Sequence, residues 1–196
     1  MGDRAKFKEI DDYLPTQRGQ AINGDNLQLR EYQQQALENL KAMREKHETI
    51  ALLYQATGTG KTVTAVLDAK SVGGKTLFVA HTMELVNQAY DAFKQLWREV
   101  SVGKYADSIK EVNSQVICGS VQSIALNLDD FAEEEFDYII IDEAHHAAAE
   151  TYQKILSYFK PKFILGLTAT PERADDINIL DIFKNTAHRL DIQTAV

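Results

Sequence analysis

The chain is poor in cysteine, in long apolar runs and in positive charge, and each shortage closes off a class of function. A single cysteine, Cys118, in 196 residues excludes an internal disulfide. Set in Val116-Ile117-Cys118, it reads as a small core residue rather than a nucleophile. No stretch approaches the roughly 18 consecutive apolar residues of a membrane span, and the start, Met1-Gly2-Asp3-Arg4-Ala5-Lys6, lacks the apolar core of a signal peptide. The expected compartment is therefore the cytoplasm, with no membrane partner. Lys and Arg number 21 against 29 Asp and Glu, a net charge of −8, which argues against a protein that binds nucleic acid over its whole surface. A local grip stays open, because backbone N–H groups, hydroxyls and helix N-termini contact phosphates without adding formal charge. His-Glu-x-x-His is absent, and no second cluster of ligand-type residues stands at metal-binding spacing. His145 and His146 beside Asp142 therefore make a poor metal centre. Repeats and low-complexity tracts are missing too.

The composition is otherwise ordinary, at 44% hydrophobic and 26% charged, and the length suits one well-cored domain. Residues 1–26 are polar and broken by Pro15, Gly19 and Asn23-Gly24-Asp25-Asn26, so a loosely structured leader is expected there. Leu27 to Lys46 has helical spacing of apolar residues. Short apolar strands are predicted at 52–54, 75–80, 116–119, 138–141 and 163–167. Between them lie helices at 63–70 and 149–160, a helix bearing Val86, Tyr90, Phe93 and Trp97 as a core stripe, and a short helix or turn at 120–128. Residues 101–114 read as a surface loop and 132–135 as a solvated acidic connection. Strands alternating with helices imply right-handed crossovers and a parallel sheet.

Two segments carry chemistry. Leu52-Leu53-Tyr54 runs into Gln55-Ala56-Thr57-Gly58-Thr59-Gly60-Lys61-Thr62 and then into a helix, the strand–loop–helix context of a phosphate-binding P-loop. Small residues at 56–60 let successive N–H groups turn inward above the helix N-terminus. Lys61 can reach the β- and γ-phosphates of ATP, and the Thr62 hydroxyl can hold Mg²⁺. The consensus wants glycine where Gln55 stands, but the tight end of the loop is intact. The competing reading is a glycine-rich turn without a ligand. The second segment, Phe136 to Ile141, is a β-branched and aromatic run followed by Asp142 and Glu143. A strand buried on both faces cannot hold charge in its middle, so the acid pair falls at its carboxyl end, where open α/β sheets put their ligands. Asp142 would hold Mg²⁺, and Glu143 would orient or deprotonate the attacking water.

Further segments occur in a fixed order: Leu29-Arg30-Glu31-Tyr32-Gln33, Phe78 to Gln88, Gly119-Ser120-Val121-Gln122-Ser123, Asp142-Glu143-Ala144-His145 and Gly166-Leu167-Thr168-Ala169-Thr170-Pro171. With the P-loop, this series resembles the first RecA-like domain of a superfamily 2 helicase of the DEAH-box type, in the branch shared with motor subunits of type I and type III restriction enzymes. The likeness runs from about Leu27 to Arg173. It implies a three-layer RecA-like P-loop domain of the α/β class, with a mainly parallel central sheet and helices on both faces. The domain would cover 27–180, and 181–196 would begin the connection to a second RecA-like domain.

The resemblance also implies roles. Gln33, with Arg30 nearby, would read adenine; Thr57, Gly58, Thr59, Gly60, Lys61 and Thr62 would bind the triphosphate; Lys61, Asp142, Glu143 and His145 would be catalytic. His81, Thr82, Ser120, Gln122 and Ser123 would lie along one nucleic-acid strand, DNA being expected and RNA the other candidate. Thr168 and Thr170 would link that strand to the nucleotide. The expected activity is Mg-ATP hydrolysis coupled to movement on nucleic acid, requiring the second domain and weak or absent in this chain alone. The alternatives are a nucleotide-binding interaction module without motor action and a transport or AAA-type ATPase.

Overall fold

The computed structural model describes residues 29–55, 60–144, 147, 149–169 and 190–191. Its strands are β1 (Ile50–Tyr54), β2 (Thr76–Ala80), β3 (Val102–Ala106), β4 (Ile109–Lys110), β5 (Val116–Ser120), β6 (Tyr138–Ile141), β7 (Phe163–Thr168) and β8 (Leu190–Asp191). They form one sheet in the order β4-β3-β5-β2-β6-β7-β1-β8. Every pairing is parallel except the β3–β4 hairpin. The helices are α1 (Glu31–Glu45), α2 (Lys61–Val72), α3 (Met83–Leu96), α4 (Val121–Leu126) and α5 (Glu150–Tyr158).

The side-chain alternation of the strands divides the core in two. Ala51, Leu53, Phe78, Ala80, Val116, Cys118, Tyr138, Ile140, Leu165 and Leu167 pack with α1, α2 and α3. Leu52, Leu77, Val79, Ile117, Ile139 and Ile141 face the other way, with residues of α4 and α5. Helices thus cover both faces, which is why these strands read as unbroken apolar runs instead of an alternation. This is the expected three-layer α/β architecture. Cys118 is fully buried, and burial pushes its thiol well up, as suits a core residue.

Two elements differ from the sequence reading. Residues 101–114 are not a plain surface loop, because β3 extends the sheet beside β5. Gly103 and Lys104 disguise that strand. A Cβ on Gly103 would come within 2.6 Å of the Ser114 hydroxyl, so glycine is a packing requirement there. Lys104 lays its ammonium over the Tyr90 ring at 4.3 Å and donates to Asn87. The first helix also starts later than Leu27: Arg30 is its extended N-cap, and Gln33 turns back to accept the Arg30 N–H at 3.0 Å.

A buried polar tie joins α1, α2 and β6. Asp68 of α2, 1% exposed, takes both arms of Arg44 at 2.6 and 2.8 Å and the Tyr138 hydroxyl at 2.5 Å. Among the described residues, no helix is long and apolar enough to cross a membrane.

Candidate functional site

All parallel strands end on one rim, and the order of the sheet sets the order of the chemistry along it. From one side it runs β1, which feeds the phosphate loop, then β7 ending at Thr168, β6 followed by Asp142, β2 followed by His81, and β5 ending at Ser120. Neighbouring strands lie about 4.8 Å apart, so the ends of β1 and β6 are separated by about 10 Å, a gap that a lysine side chain and a phosphate chain can bridge. Two hydrogen bonds fix the ends in register. Gln55 N–H donates to the Thr168 carbonyl at 3.1 Å, and Asp142 N–H donates to the Val79 carbonyl at 2.9 Å.

Gly60 holds φ 88°, a left-handed value that favours glycine, and it caps α2 without any side-chain hydrogen bond. The first intrahelical bond runs from Thr64 N–H to the Gly60 carbonyl at 2.9 Å. The first turn of α2 carries no acidic residue to repel an anion from its N–H groups. Lys61 and Thr62 are half-buried in this turn. The Lys61 ammonium donates to the Gln55 carbonyl at 3.2 Å. Burial lowers its pKa, while the charges of Glu143 and Asp142 push the other way. Lys61 thus lies within the electrostatic influence of the acid pair.

Asp142 is 6% exposed. Burial, and then the neighbouring Glu143, raise its carboxyl to about 6, with Lys61 and His81 pulling it down. One of its oxygens accepts the Glu143 N–H at 3.0 Å. Glu143 sits at φ 50°, strained for a residue with a side chain, and such strain clusters at functional turns. A buried carboxylate whose charge is disfavoured, with the half-buried Thr62 hydroxyl as a further oxygen donor, fits a hard divalent cation that keeps most of its ligands as phosphate and water. Among the described residues, no three His, Cys, Asp or Glu side chains are grouped to hold a metal by themselves.

A family model described as "Type III restriction enzyme, res subunit" matches residues 26–173. The chain belongs to this family. Res-subunit proteins fall within the superfamily 2 helicases, in keeping with the relatives found. One is the "Putative ATP-dependent helicase IRC3" of Saccharomyces cerevisiae, 33% identical over 168 residues, 75% of this chain and 24% of that protein. Another is the "DNA 3'-5' translocase XPB2" of Sulfurisphaera tokodaii, 33% identical over 161 residues, 77% of this chain and 33% of that protein. The Pyrococcus furiosus Hef helicase domain superposes with a TM-score of 0.63 at 25% identity, over 83% of this chain and 37% of the other. The chain thus spans a quarter to a third of the length of these two curated relatives.

Within this res-subunit domain, the residues expected along a nucleic-acid strand lie on the same rim, on the β2 and β5 side. Thr82 is exposed, and its hydroxyl accepts the Leu85 N–H at 3.2 Å. Ser120 accepts the Ser123 N–H, and the Ser123 hydroxyl accepts the Asp107 N–H. Both serines are buried, Ser120 capping the start of α4 and Ser123 tying α4 to the turn between β3 and β4, while Gln122 is exposed. His81 is closer to the nucleotide side than its place in the sequence suggests, since its charge is felt by Asp142. Gln33 is 7% exposed and already accepts one bond, so adenine recognition would use the second lone pair of its carbonyl and its NH₂ group. Arg30 stands beside it, its guanidinium donating to the Tyr32 hydroxyl at 3.1 Å. Thr168 is fully buried at the end of β7. Thr57, Gly58, Thr59, His145 and Thr170 lie outside the described residues.

Sequence reasoning passed over Gln55. Gln55 is 3% exposed, with both amide atoms buried and unbonded. Its departure from glycine was the only signal.

Proposed function

We propose that this domain binds ATP with Mg²⁺ and is the first ATPase half of a helicase or translocase acting on DNA, with a second RecA-like domain of the same protein completing the site. The observation that carries the reading is the placement of Lys61, after β1, and of the Asp142-Glu143 pair, after β6, on one rim of the sheet, close enough that both acids act on the lysine's charge. In that reading, Lys61 and the first-turn N–H groups of α2 hold the phosphates. Asp142 and Thr62 hold the metal, which when bound supplies charge to neutralise phosphate oxygens. Glu143 takes the proton of the attacking water. The Asp142-Glu143-Ala144-His145 tetrapeptide is what supports the DEAH-box form of the motif, and the relative named a DNA 3'-5' translocase supports movement on DNA.

The test is ATP hydrolysis by the full-length protein with and without DNA. DNA should stimulate turnover, and Lys61→Ala or Glu143→Gln should lower it by about 10²-fold or more, the range for a lost proton acceptor. ATP binding indifferent to DNA, with no turnover in any assembled form, would instead favour an interaction module that nucleotide merely rigidifies.

A further inference from the structure

Two cations without acid partners are gathered on one aromatic ring, beside the end of the sheet that carries Thr82 and Ser120. Lys104 of β3 holds its ammonium 4.3 Å from the centre of the Tyr90 ring and donates to the Asn87 side-chain carbonyl at 2.6 Å. Lys94, one helical turn beyond Tyr90 on α3, brings its own ammonium to 5.2 Å from the same ring. Such contacts hold a cation against an aromatic face without neutralising it. Among the described residues neither lysine makes an ion pair, although the chain has acids in excess, with a net charge of −8. Lys41, Lys70, Lys75, Lys154, Lys160 and Lys162, by contrast, each meet a carboxylate. The acids beside the patch are engaged elsewhere or point away. Glu111 accepts the Lys104 backbone N–H at 2.7 Å, and Asp91, next to Tyr90 in the chain, is exposed and pairs with neither lysine.

The position of the patch selects its partner. Along the rim β6, β2 and β5 are followed by β3. Lys104 stands opposite Cys118 of β5, two residues before Ser120, so it lies about 7 Å below the rim at the rise of a strand. Thr82 caps the helix that carries Asn87, Tyr90 and Lys94. An anion that follows the rim past Thr82 and Ser120 therefore meets this patch next. We propose that Lys94 and Lys104 hold backbone phosphates of a DNA strand as it leaves the rim over the β3 edge, lengthening the track by a contact that reads no sequence. The proposal rests on the reading of the β2 and β5 side of the rim as a nucleic-acid track. Lys94 is exposed and Lys104 half-buried, an openness that suits a passing backbone better than an enclosed small ligand.

The test follows binding of the full-length protein to a fluorescent oligo(dT) strand by anisotropy, from about 50 to 200 mM salt. Each phosphate neutralised on a single strand contributes about 0.7 to the slope of log affinity against log salt concentration. Lys94→Gln combined with Lys104→Gln should therefore reduce that slope by about 1.4 and weaken binding most at the lowest salt. Lys41→Gln combined with Lys154→Gln removes the same charge from lysines already paired with Glu45 and Glu150, and should keep the parent slope. Lys94→Arg combined with Lys104→Arg retains both charges and should keep it too. An unchanged slope in the first pair overturns the proposal. So does an equal fall in the second, which would make the effect one of net charge, or in the third, which would make it one of packing. A parent protein that fails to bind the strand removes the track itself; a parent that binds, with all three pairs matching it, removes only this extension.

Discussion

At the scale of the residue, the buried carboxylate of Asp142 opposes folding. Its carboxyl is raised from the ordinary 3.8 to about 6, chiefly by burial. Below about pH 3.8 the group is protonated in both folded and unfolded chains and has no effect on stability. Between 3.8 and 6 the unfolded chain releases its proton first, so the folded state holds the excess proton and stability falls as pH rises. Above about 6 the full penalty is present, on the order of 2 kcal/mol after allowing for relaxation around the charge. Asp142→Asn should therefore match the parent chain near pH 4 and exceed it by about 2 kcal/mol at pH 7.5. Denaturant titration in metal-free buffer across that range reads the difference, and a gap that stays constant with pH would mean the carboxylate is already compensated. In the proposed reading a bound cation would favour the ionised form, so the burial penalty would become selectivity for the metal-loaded state.

At the scale of the element, the tie through Asp68 fixes where α1 and α2 sit. Arg44 is near the end of α1, which carries Gln33; Asp68 is on α2, which begins at Lys61; Tyr138 opens β6, which leads to Asp142. One buried carboxylate thus indexes against each other the segments proposed to meet adenine, phosphate and metal. Asp68→Ala would leave a largely buried guanidinium without its partner, at a cost of about 3 kcal/mol or more. Tyr138→Phe leaves the two-armed pair in place and should cost about 1 kcal/mol. Urea denaturation of the two variants should rank them in that order, and equal losses would mean that Arg44 finds water when its partner goes. These elements were legible unequally. Strands β1, β2, β5, β6 and β7 announced themselves because both faces are covered and every side chain could be apolar. Strand β3 did not, since Gly103 is there for clearance and Lys104 for its reach to Tyr90 and Asn87. Both choices depend on neighbours remote in the chain. Lys61, Asp142 and Glu143 stood out as candidates because their residue types fall at a fixed local spacing after β1 and β6. The hydroxyls of Ser120 and Ser123 read equally well as phosphate contacts or as turn residues, and the structure shows the hydrogen bonds of the turn.

At the scale of the whole molecule, the sheet presents a single rim on which the proposed nucleotide site and the expected nucleic-acid track lie side by side, with Thr168 between the phosphate loop and Asp142, and His81 next to Asp142 on its other side. Movement along a strand requires something for that rim to close against. A motor of the proposed kind gains rate when a second domain brings cations to the γ-phosphate, and such a finger contributes about 10³–10⁵ in rate in GTPases. The expectation for these 196 residues alone is therefore weak Mg-ATP binding, very slow hydrolysis and no strand separation. A net charge of −8 points the same way, because it denies the isolated domain the electrostatic footprint that holds DNA without sequence preference. A fluorescence strand-separation assay and a single-turnover hydrolysis assay, run on this chain and on the full-length protein, make the comparison. Turnover should rise by at least about 10³-fold in the longer protein, and its DNA dependence should appear only there. Unwinding by the chain alone would show that one rim suffices, and the two-domain account would have to be abandoned.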